Sequence, residues 1–343
     1  MALTAGYDVG GAHLKVALVE NGKLVLVRQI ACPLWRGLDH LDAALAEAHA
    51  ITASADVHAA TMTGELADIF PDRYTGVARI CERLTIRFGP DVRIWMGPRG
   101  FGSAADAEHH VTGTASTNFL ATATLSARLA GDGLLIDMGS TTADIVPFAN
   151  GAVVARGLID ADRLRTGELV YTGLTRTPVM AVASRALFQG EWQSLARDPF
   201  ATMADVRRIT CDLPAGVDQH ATADGRGTSE DESRARFARC FGCDVEPGDE
   251  AHWAVAARVI AEAQLRSIHD GCLQVLSARP PRGPMRVVTA GIGERIAAEI
   301  ARRLDLPAIG FGALIKAPPH LRDWATRCAP AVAVAMLAGC DQV

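Results

Sequence analysis

The sequence predicts an α/β protein of two lobes with a cleft between them and an insertion in the second lobe. Three observations predict it. A layout of strand, hairpin and strand, followed by helix, strand and helix, is written twice along the chain. Each copy opens on an acidic strand end followed by a glycine turn, at Asp8 and again at Asp137. The 343 residues are 49% apolar and 21% charged, enough for two cores at about 100–200 residues per domain.

The elements follow in order. Ala5 to Val9, Leu14 to Val19 and Leu24 to Ile30 are short β-rich runs, separated by Gly10-Gly11 and by the hairpin pair Asn21-Gly22. Leu38 to Ala50 has helical spacing, Val57 to Met62 reads as a strand, Pro71 to Phe88 as a helix and Val92 to Met96 as a short strand. Ser116 to Leu129, rich in Ala and Leu, is a helix. The pattern then restarts. Leu134 to Asp137, Thr142 to Pro147 and Ala152 to Arg156 are strands, again with an Asn-Gly turn at Asn150-Gly151. A long helix from Trp253 to Leu276, a strand from Met285 to Ala290, a helix from Glu294 to Leu304 and a strand from Pro307 to Ile309 complete the copy. An Ala-rich helix from Pro330 to Leu337 faces the core. The lobes are expected at 1–132 and 133–343, each on a mixed five-stranded sheet. The polar stretch at about 159–251 reads either as a solvated helical insertion or as a cap over a substrate pocket.

Laid over each other, Tyr7-Asp8-Val9-Gly10-Gly11 matches Ile136-Asp137-Met138-Gly139-Ser140, and Lys15 and Asp144 fall at the same offset from their aspartates. The net charge of −5 speaks against a general nucleic-acid or membrane-surface binder. No run reaches the ~20 apolar residues that span a bilayer, and no secretory signal is visible. Eight cysteines are too sparse for a disulfide scaffold, so a reducing cytoplasm is expected. The one CxxC, Cys240 to Cys243, supplies two of the four ligands a structural zinc needs and would have to recruit two of Cys211, His220 and His252. Only three lysines occur, Lys15, Lys23 and Lys316, and the first lies in a glycine turn.

The turns carry the candidate chemistry. In Asp8-Val9-Gly10-Gly11-Ala12-His13-Leu14-Lys15 the glycines let backbone N–H groups approach an anion. Asp8 can hold a hydrated Mg²⁺, Lys15 can place a point charge on a phosphate oxygen, and His13 is a further donor. In the second turn, Asp137 and Gly139 are followed by the hydroxyls of Ser140, Thr141 and Thr142. Two such turns facing each other would grip a polyphosphate and Mg²⁺ held by Asp8 and Asp137. Gly291-Ile292-Gly293-Glu294, running from a strand into a helix, offers a third anion or nucleotide contact. No Gly-Lys-Ser/Thr, Gly-x-Ser-x-Gly or His-Glu-x-x-His occurs.

The turns at Asp8, Asp137 and Gly291 resemble the phosphate and adenosine motifs of the actin/sugar-kinase/Hsp70 superfamily, which implies the duplicated actin-like, ribonuclease H-like fold. More narrowly the chain resembles the hydantoinase A/oxoprolinase family, through Thr63-Gly64-Glu65-Leu66-Ala67-Asp68. It is similar to a branch linked to tetrahydromethanopterin-dependent C1 transfer in methylotrophs and to methanofuran assembly in methanogens. Thr61 to Asp68, Ser116 to Phe119, Gly167 to Gly173 with Arg176-Thr177-Pro178, and Thr222 to Gly225 carry that match.

The resemblance implies an Mg²⁺-dependent transferase of methanofuran or methylofuran biosynthesis. A phenol of γ-glutamyltyramine or tyrosine type would displace diphosphate from an aminomethylfuran-methyl diphosphate. Asp8, Asp137 and Glu65 are then the candidate catalytic groups, with the choice of base open. Asn118 is a candidate contact to the clamp, and Glu168, Tyr171 and Arg176 are candidates to bind the rest of the substrate. The residues leave room for an ATP-dependent hydantoinase/oxoprolinase-type hydrolase, a small-molecule kinase or a non-enzymatic nucleotide-binding regulator. Small molecules are the expected partners, and a homo-oligomer is left open.

Overall fold

A computed structural model describes residues 3–219, 221–280 and 283–340. In the first lobe, β1 (Leu3–Val9), β2 (His13–Glu20) and β3 (Lys23–Ala31) form a meander. The chain crosses through α1 (Leu38–Thr52) to β4 (Val57–Met62), parallel to β1, and through α2 (Arg73–Phe88) to β5 (Arg93–Trp95). A short edge strand, β6 (Phe101–Gly102), makes the order β3-β2-β1-β4-β5-β6. Then α3 (Asn118–Ala130) leads out of the lobe. β1 is buried almost throughout, as expected for a central strand covered on both faces.

The second lobe repeats this order. β7 (Gly133–Met138) pairs antiparallel with β8 (Ala143–Ala149), whose outer edge takes β9 (Ala152–Val153). After α4 (Asp160–Thr166), β10 (Leu169–Val170) pairs with the other end of β8. The inserted segment carries a hairpin of β11 (Arg185–Phe188) and β12 (Glu191–Ser194), with α5 (Met203–Ile209) and α6 (Glu230–Arg239). α7 (Glu250–Ala278) returns to β13 (Arg286–Ala290), parallel to β7, and α8 (Glu294–Arg303) leads to β14 (Ala308–Gly310). The chain closes on α9 (Ala329–Cys340).

The structure modifies three expectations. Each sheet carries six strands rather than five, because short edge strands add to the repeated unit. The sheet of the second lobe extends to Val170, so the polar segment leaves it there and not at 159. That segment is no bare solvated insertion, since Val179, Met203, Val206 and Phe237 bury against Trp253, Ala257 and Ile260 of α7 in a core of their own. α9 lies not with the second sheet but on β1, so close that a Cβ on Gly6 would stand 2.1 Å from the Ala331 carbonyl oxygen. α9 is apolar all round, which suits a helix with no solvent face. α3 and α9 pack on one another, and their buried residues share one cluster with Ala17 of the first sheet and Leu135 and Val288 of the second. This shared core backs the strands that end at the cleft. Among the described residues no helix is long and apolar enough to cross a membrane.

Candidate active site

β1 and β7 end at the same place in the two lobes, and their terminal acids line one cavity of about 390 Å³ between the lobes. Each turn is closed in the same way. The Gly10 N–H donates to the His13 carbonyl at 3.0 Å, and the Gly139 N–H donates to the Thr142 carbonyl at 2.9 Å. The turn residues expected to meet phosphate all lie on the cavity wall: Gly10, Gly11, His13 and Lys15 from one side, Gly139, Ser140, Thr141 and Thr142 from the other.

The second turn is braced from behind. The N–H groups of Leu174 and Arg176 donate to the carbonyls of Gly139 and Ser140, both at 2.9 Å. A Cβ on Gly173 would stand 2.3 Å from the Ser140 carbonyl carbon, so only glycine fits. Gln264 of α7 holds that brace, donating to Thr172 Oγ1 at 2.9 Å and to the Gly173 carbonyl at 2.7 Å. The stretch from Gly167 to Pro178, singled out by its resemblance, is therefore the support of the second turn.

The register sets the electrostatics. Asp8 stands opposite Lys15 across β1 and β2, whereas Asp137 stands opposite Asp144 across β7 and β8. The duplicated position is a cation in one lobe and an anion in the other. Asp8, buried, accepts from Lys15 Nζ at 3.2 Å through Oδ2 and from Asn118 Nδ2 at 3.3 Å through Oδ1. Burial works against the Lys15 ammonium, yet the carboxylates of Asp8 and Asp137 outweigh it and hold its pKa above that of an ordinary lysine. Burial and the like charge of Asp144 push Asp137 up to about 7, with Lys15 opposing. Asp144 is raised by burial and partly relieved by Arg163, whose Nη2 donates to its Oδ1 at 2.7 Å and to the Glu168 carbonyl at 3.0 Å. The Arg163 guanidinium also lies 3.5 Å from the ring centroid of Phe119 on α3.

The remaining candidates divide. Asn118, Tyr171 and Arg176 line the cavity, and Arg176 lies over the ring of Trp35 from the opposite lobe, 5.2 Å from its centroid. Glu168 does not reach the cavity. Its two carboxylate oxygens accept the N–H groups of Arg156 and Gly157 at 2.6 and 2.8 Å, so it ties down a loop instead of binding substrate. Gly291 lines the cavity, but its N–H is taken by the Thr326 carbonyl. The N–H of Gly293 is taken by the Met138 carbonyl, and neither amide is left for an anion. Gly291 is glycine for space and backbone, with φ at +80° and an added Cβ only 2.5 Å from Asp137 Oδ1. Glu65 is buried behind the wall, where its Oε1 accepts from Ser116 Oγ at 2.5 Å. Asp224 likewise faces away, toward Arg236 at 3.1 Å.

Sequence reasoning missed Arg163, Ser116 and Arg327 as residues of this site. Only Ser116 carried a signal, as part of the Ser116 to Phe119 match. Among the described residues no group of three or more His, Cys, Asp or Glu is placed to hold a metal ion by side chains alone. His220 lies outside the described residues. Five aspartates line the cavity, of which Asp144 and Asp160 are paired with Arg163 and Arg73; Asp8 and Asp137, at the two turns, suit Mg²⁺, which commonly takes one or two carboxylates and fills its shell with water and phosphate.

With the geometry in place, the chain can be set beside known proteins. A synthase of Methanocaldococcus jannaschii, named for (4-{4-(2-(gamma-L-glutamylamino)ethyl)phenoxymethyl}furan-2-yl)methanamine, is 33% identical over 222 residues, covering 62% of this chain and 66% of that protein. A synthase of the same name from Methanococcus vannielii is 33% identical over 92 residues, covering 24% of this chain and 41% of that protein. The matched region thus spans just under two thirds of the first relative and less than half of the second. The nucleotide-free structure of acetone carboxylase, described with ATP-dependent acetone carboxylation, superposes with a TM-score of 0.60 at 9% identity, over 96% of this chain and 70% of that one. At that identity the likeness concerns the fold, and the fold is the two-lobed actin-like one. The hydantoinase/oxoprolinase family model matches residues 56–313, most of the chain, and the protein belongs to the hydantoinase/oxoprolinase family.

Proposed function

We propose that the protein is an aryl-ether synthase of furan-cofactor assembly. It would join the phenol oxygen of a γ-glutamyltyramine- or tyrosine-type substrate to the methylene carbon of an aminomethylfuran-methyl diphosphate and release diphosphate. The relatives' name supports the class of product, since it describes a phenoxymethylfuran, in which one ether oxygen links the two rings. The observation that carries the reading to this chain is the meeting of two similarly closed glycine turns, with their acids Asp8 and Asp137, on one cavity.

The chemistry follows from the residues. One bond forms, from phenol oxygen to furfuryl carbon, and one breaks, from that carbon to the diphosphate oxygen. A furfuryl carbon supports positive charge, so stabilising the departing diphosphate lowers the barrier more than a stronger nucleophile would. Gly11, Ser140, Thr141 and Thr142 bind the phosphates by backbone and hydroxyl donors, and Lys15 places its ammonium beside them. Asp137, with Asp8, is the group to hold Mg²⁺, and when bound the ion supplies charge against which diphosphate leaves. Arg176 and Trp35, at the wall contributed by both lobes, suit the carboxylate and ring of the phenolic partner. The reaction consumes no ATP and belongs to a protein acting on small molecules in the cytoplasm.

The test is direct. Purified protein with Mg²⁺ receives the furan diphosphate and γ-glutamyltyramine, and ether and diphosphate are followed by mass spectrometry. Ether and diphosphate in equal amounts are expected, and only when both substrates are present. ADP formed from ATP with no ether from the furan pair would replace this reading with the hydrolase or kinase.

A further inference from the structure

We propose that Ser116 accepts the phenol proton at the cavity while passing its own hydroxyl proton to Glu65, so that Glu65 is the proton store of the reaction without touching substrate. The inference rests on the ether-forming reading above and identifies its base, which the family likeness leaves open.

Ser116 sits in the loop before α3, and its hydroxyl reaches both sides of the cavity wall. The residue lines the cavity, yet its Oγ is 2.5 Å from Glu65 Oε1, and Glu65 is 1% exposed. The backbone of Ser116 has φ at +53°, a left-handed conformation that costs a non-glycine residue. A hydroxyl held this way keeps a lone pair for an incoming proton while its own hydrogen points at the carboxylate.

Glu65 is fixed and under-satisfied. It lies in the short turn after β4, and α2 presses on it so tightly that a Cβ on Gly76 would stand 2.4 Å from its carbonyl oxygen. Among the described residues no group donates to Oε2. A buried carboxylate oxygen without a donor is costly, and a proton arriving on the carboxyl removes that cost. The charged groups facing it are Arg73 of α2 and Asp160 at the start of α4. They pair with each other at 2.8 Å, so their effects on Glu65 oppose. Burial then dominates and pushes the carboxyl up to about 7, with the Ser116 hydrogen bond opposing.

Asp8 is held by Lys15 and Asn118, and Asp137 faces Asp144 and Lys15 across the turn. Of the other acids on the cavity wall, Asp144 pairs with Arg163, Asp160 pairs with Arg73, and Asp68 is exposed to solvent. In the step itself, the phenol O–H breaks toward Ser116 Oγ, the Ser116 O–H breaks toward Glu65 Oε1, the aryl-ether C–O bond forms and diphosphate leaves as the anion. Glu65 ends as the neutral acid and returns its proton through Ser116 once product has gone.

The test uses the full-length protein, its Glu65→Gln and Ser116→Gly variants, and two phenols, γ-glutamyltyramine and a ring-fluorinated, more acidic analogue. Glycine suits the positive φ, so Ser116→Gly removes the hydroxyl without adding strain, and melting curves check that each variant is folded. Ionised Glu65 is the proton acceptor, so wild-type kcat should rise as pH passes through about 7. Glu65→Gln should lose that limb and about 10²-fold in kcat, with the KM of both substrates within about 2-fold. Ser116→Gly should fall by a similar factor, and the fluorinated phenol should recover about tenfold or more in both variants. Wild-type kcat in Glu65→Gln overturns the relay and leaves the ether-forming reading standing. A rise in KM at unchanged kcat would make the pair a structural wall and also overturns it. If the wild type makes no ether from either phenol, the parent reading fails and the relay falls with it. Should Glu65→Gln fail to fold, the kcat of Ser116→Gly and its response to phenol acidity decide alone.

Discussion

Removing the ammonium of Lys15 isolates the electrostatics of the cleft from any question of substrate. Lys15 Nζ lies 3.2 Å from Asp8 Oδ2, and at an effective dielectric constant of about 20 that attraction amounts to roughly 5 kcal/mol before desolvation. Lys15→Met removes it and leaves the carboxylate of Asp8, 1% exposed, with Asn118 at 3.3 Å. Breaking a buried pair from one side costs about 3–5 kcal/mol, and the 22% side-chain exposure of Lys15 places this one near 3. The double variant Lys15→Met/Asp8→Asn leaves no orphaned charge at Asp8 and should return to within ~1 kcal/mol of the wild type. Urea unfolding of the wild type, both single variants and the double variant at one pH completes the cycle, read from midpoints at constant m. A double variant that loses the sum of the two single losses would show that Lys15 and Asp8 are not coupled, and the cross-strand account of the site would be refuted.

Asp137→Asn should lower turnover by ~10²-fold or more, since the carboxylate that would hold the metal ion against the departing diphosphate is lost, and ether formation at saturating substrate measures it. The same variant should change how stability depends on pH. The folded pKa of Asp137 is raised to about 7, so its contribution is fully present below the ordinary carboxylate value and is lost as pH rises through 7. Without metal, Asp137→Asn should gain on the wild type by on the order of 3 kcal/mol between pH 4 and 8, and a constant difference across that range would contradict the raised pKa. Arg163→Met leaves Asp144 facing Asp137 without its cation and should cost ~3 kcal/mol or more in urea, with Asp144→Asn restoring most of it. Gly291→Ala forces a Cβ to within 2.2 Å of the Met138 carbonyl oxygen at a φ of +80° and should cost about 2 kcal/mol or more in a thermal or urea melt. A neutral result there would mean the turn is free to move.

Much of the fold was legible because local chemistry repeats. Short β-rich runs separated by a glycine turn and an Asn-Gly pair marked both meanders, and strand β4 was read with both ends correct, since Val57 to Met62 is bounded by polar residues and a glycine. The candidate site was legible where it is made of consecutive residues. The two glycine turns could be named because a strand end, an acid and glycines stand next to each other in sequence. Glu168 and Gly293 misled for the same reason, because a polar or glycine residue inside a distinctive motif signals equally a ligand contact and a demand of the fold. Glu168 is spent on two backbone amides, and Gly293 on the side chain of Met138.

By itself the sequence determined the duplication, the two acids at matching strand ends and the family, since all three are properties of residues close together along the chain. Only tertiary structure decided what each acid faces. The register that sets Lys15 against Asp8 also sets Asp144 against Asp137, and Arg163, Ser116 and Glu65 reach the site from separate elements. The destination of the last helix was equally hidden, because an apolar helix must be covered but its sequence does not say by which sheet. Periodicity tells which face of an element is buried, and the identity of the partner depends on how distant elements pack, which no local pattern encodes.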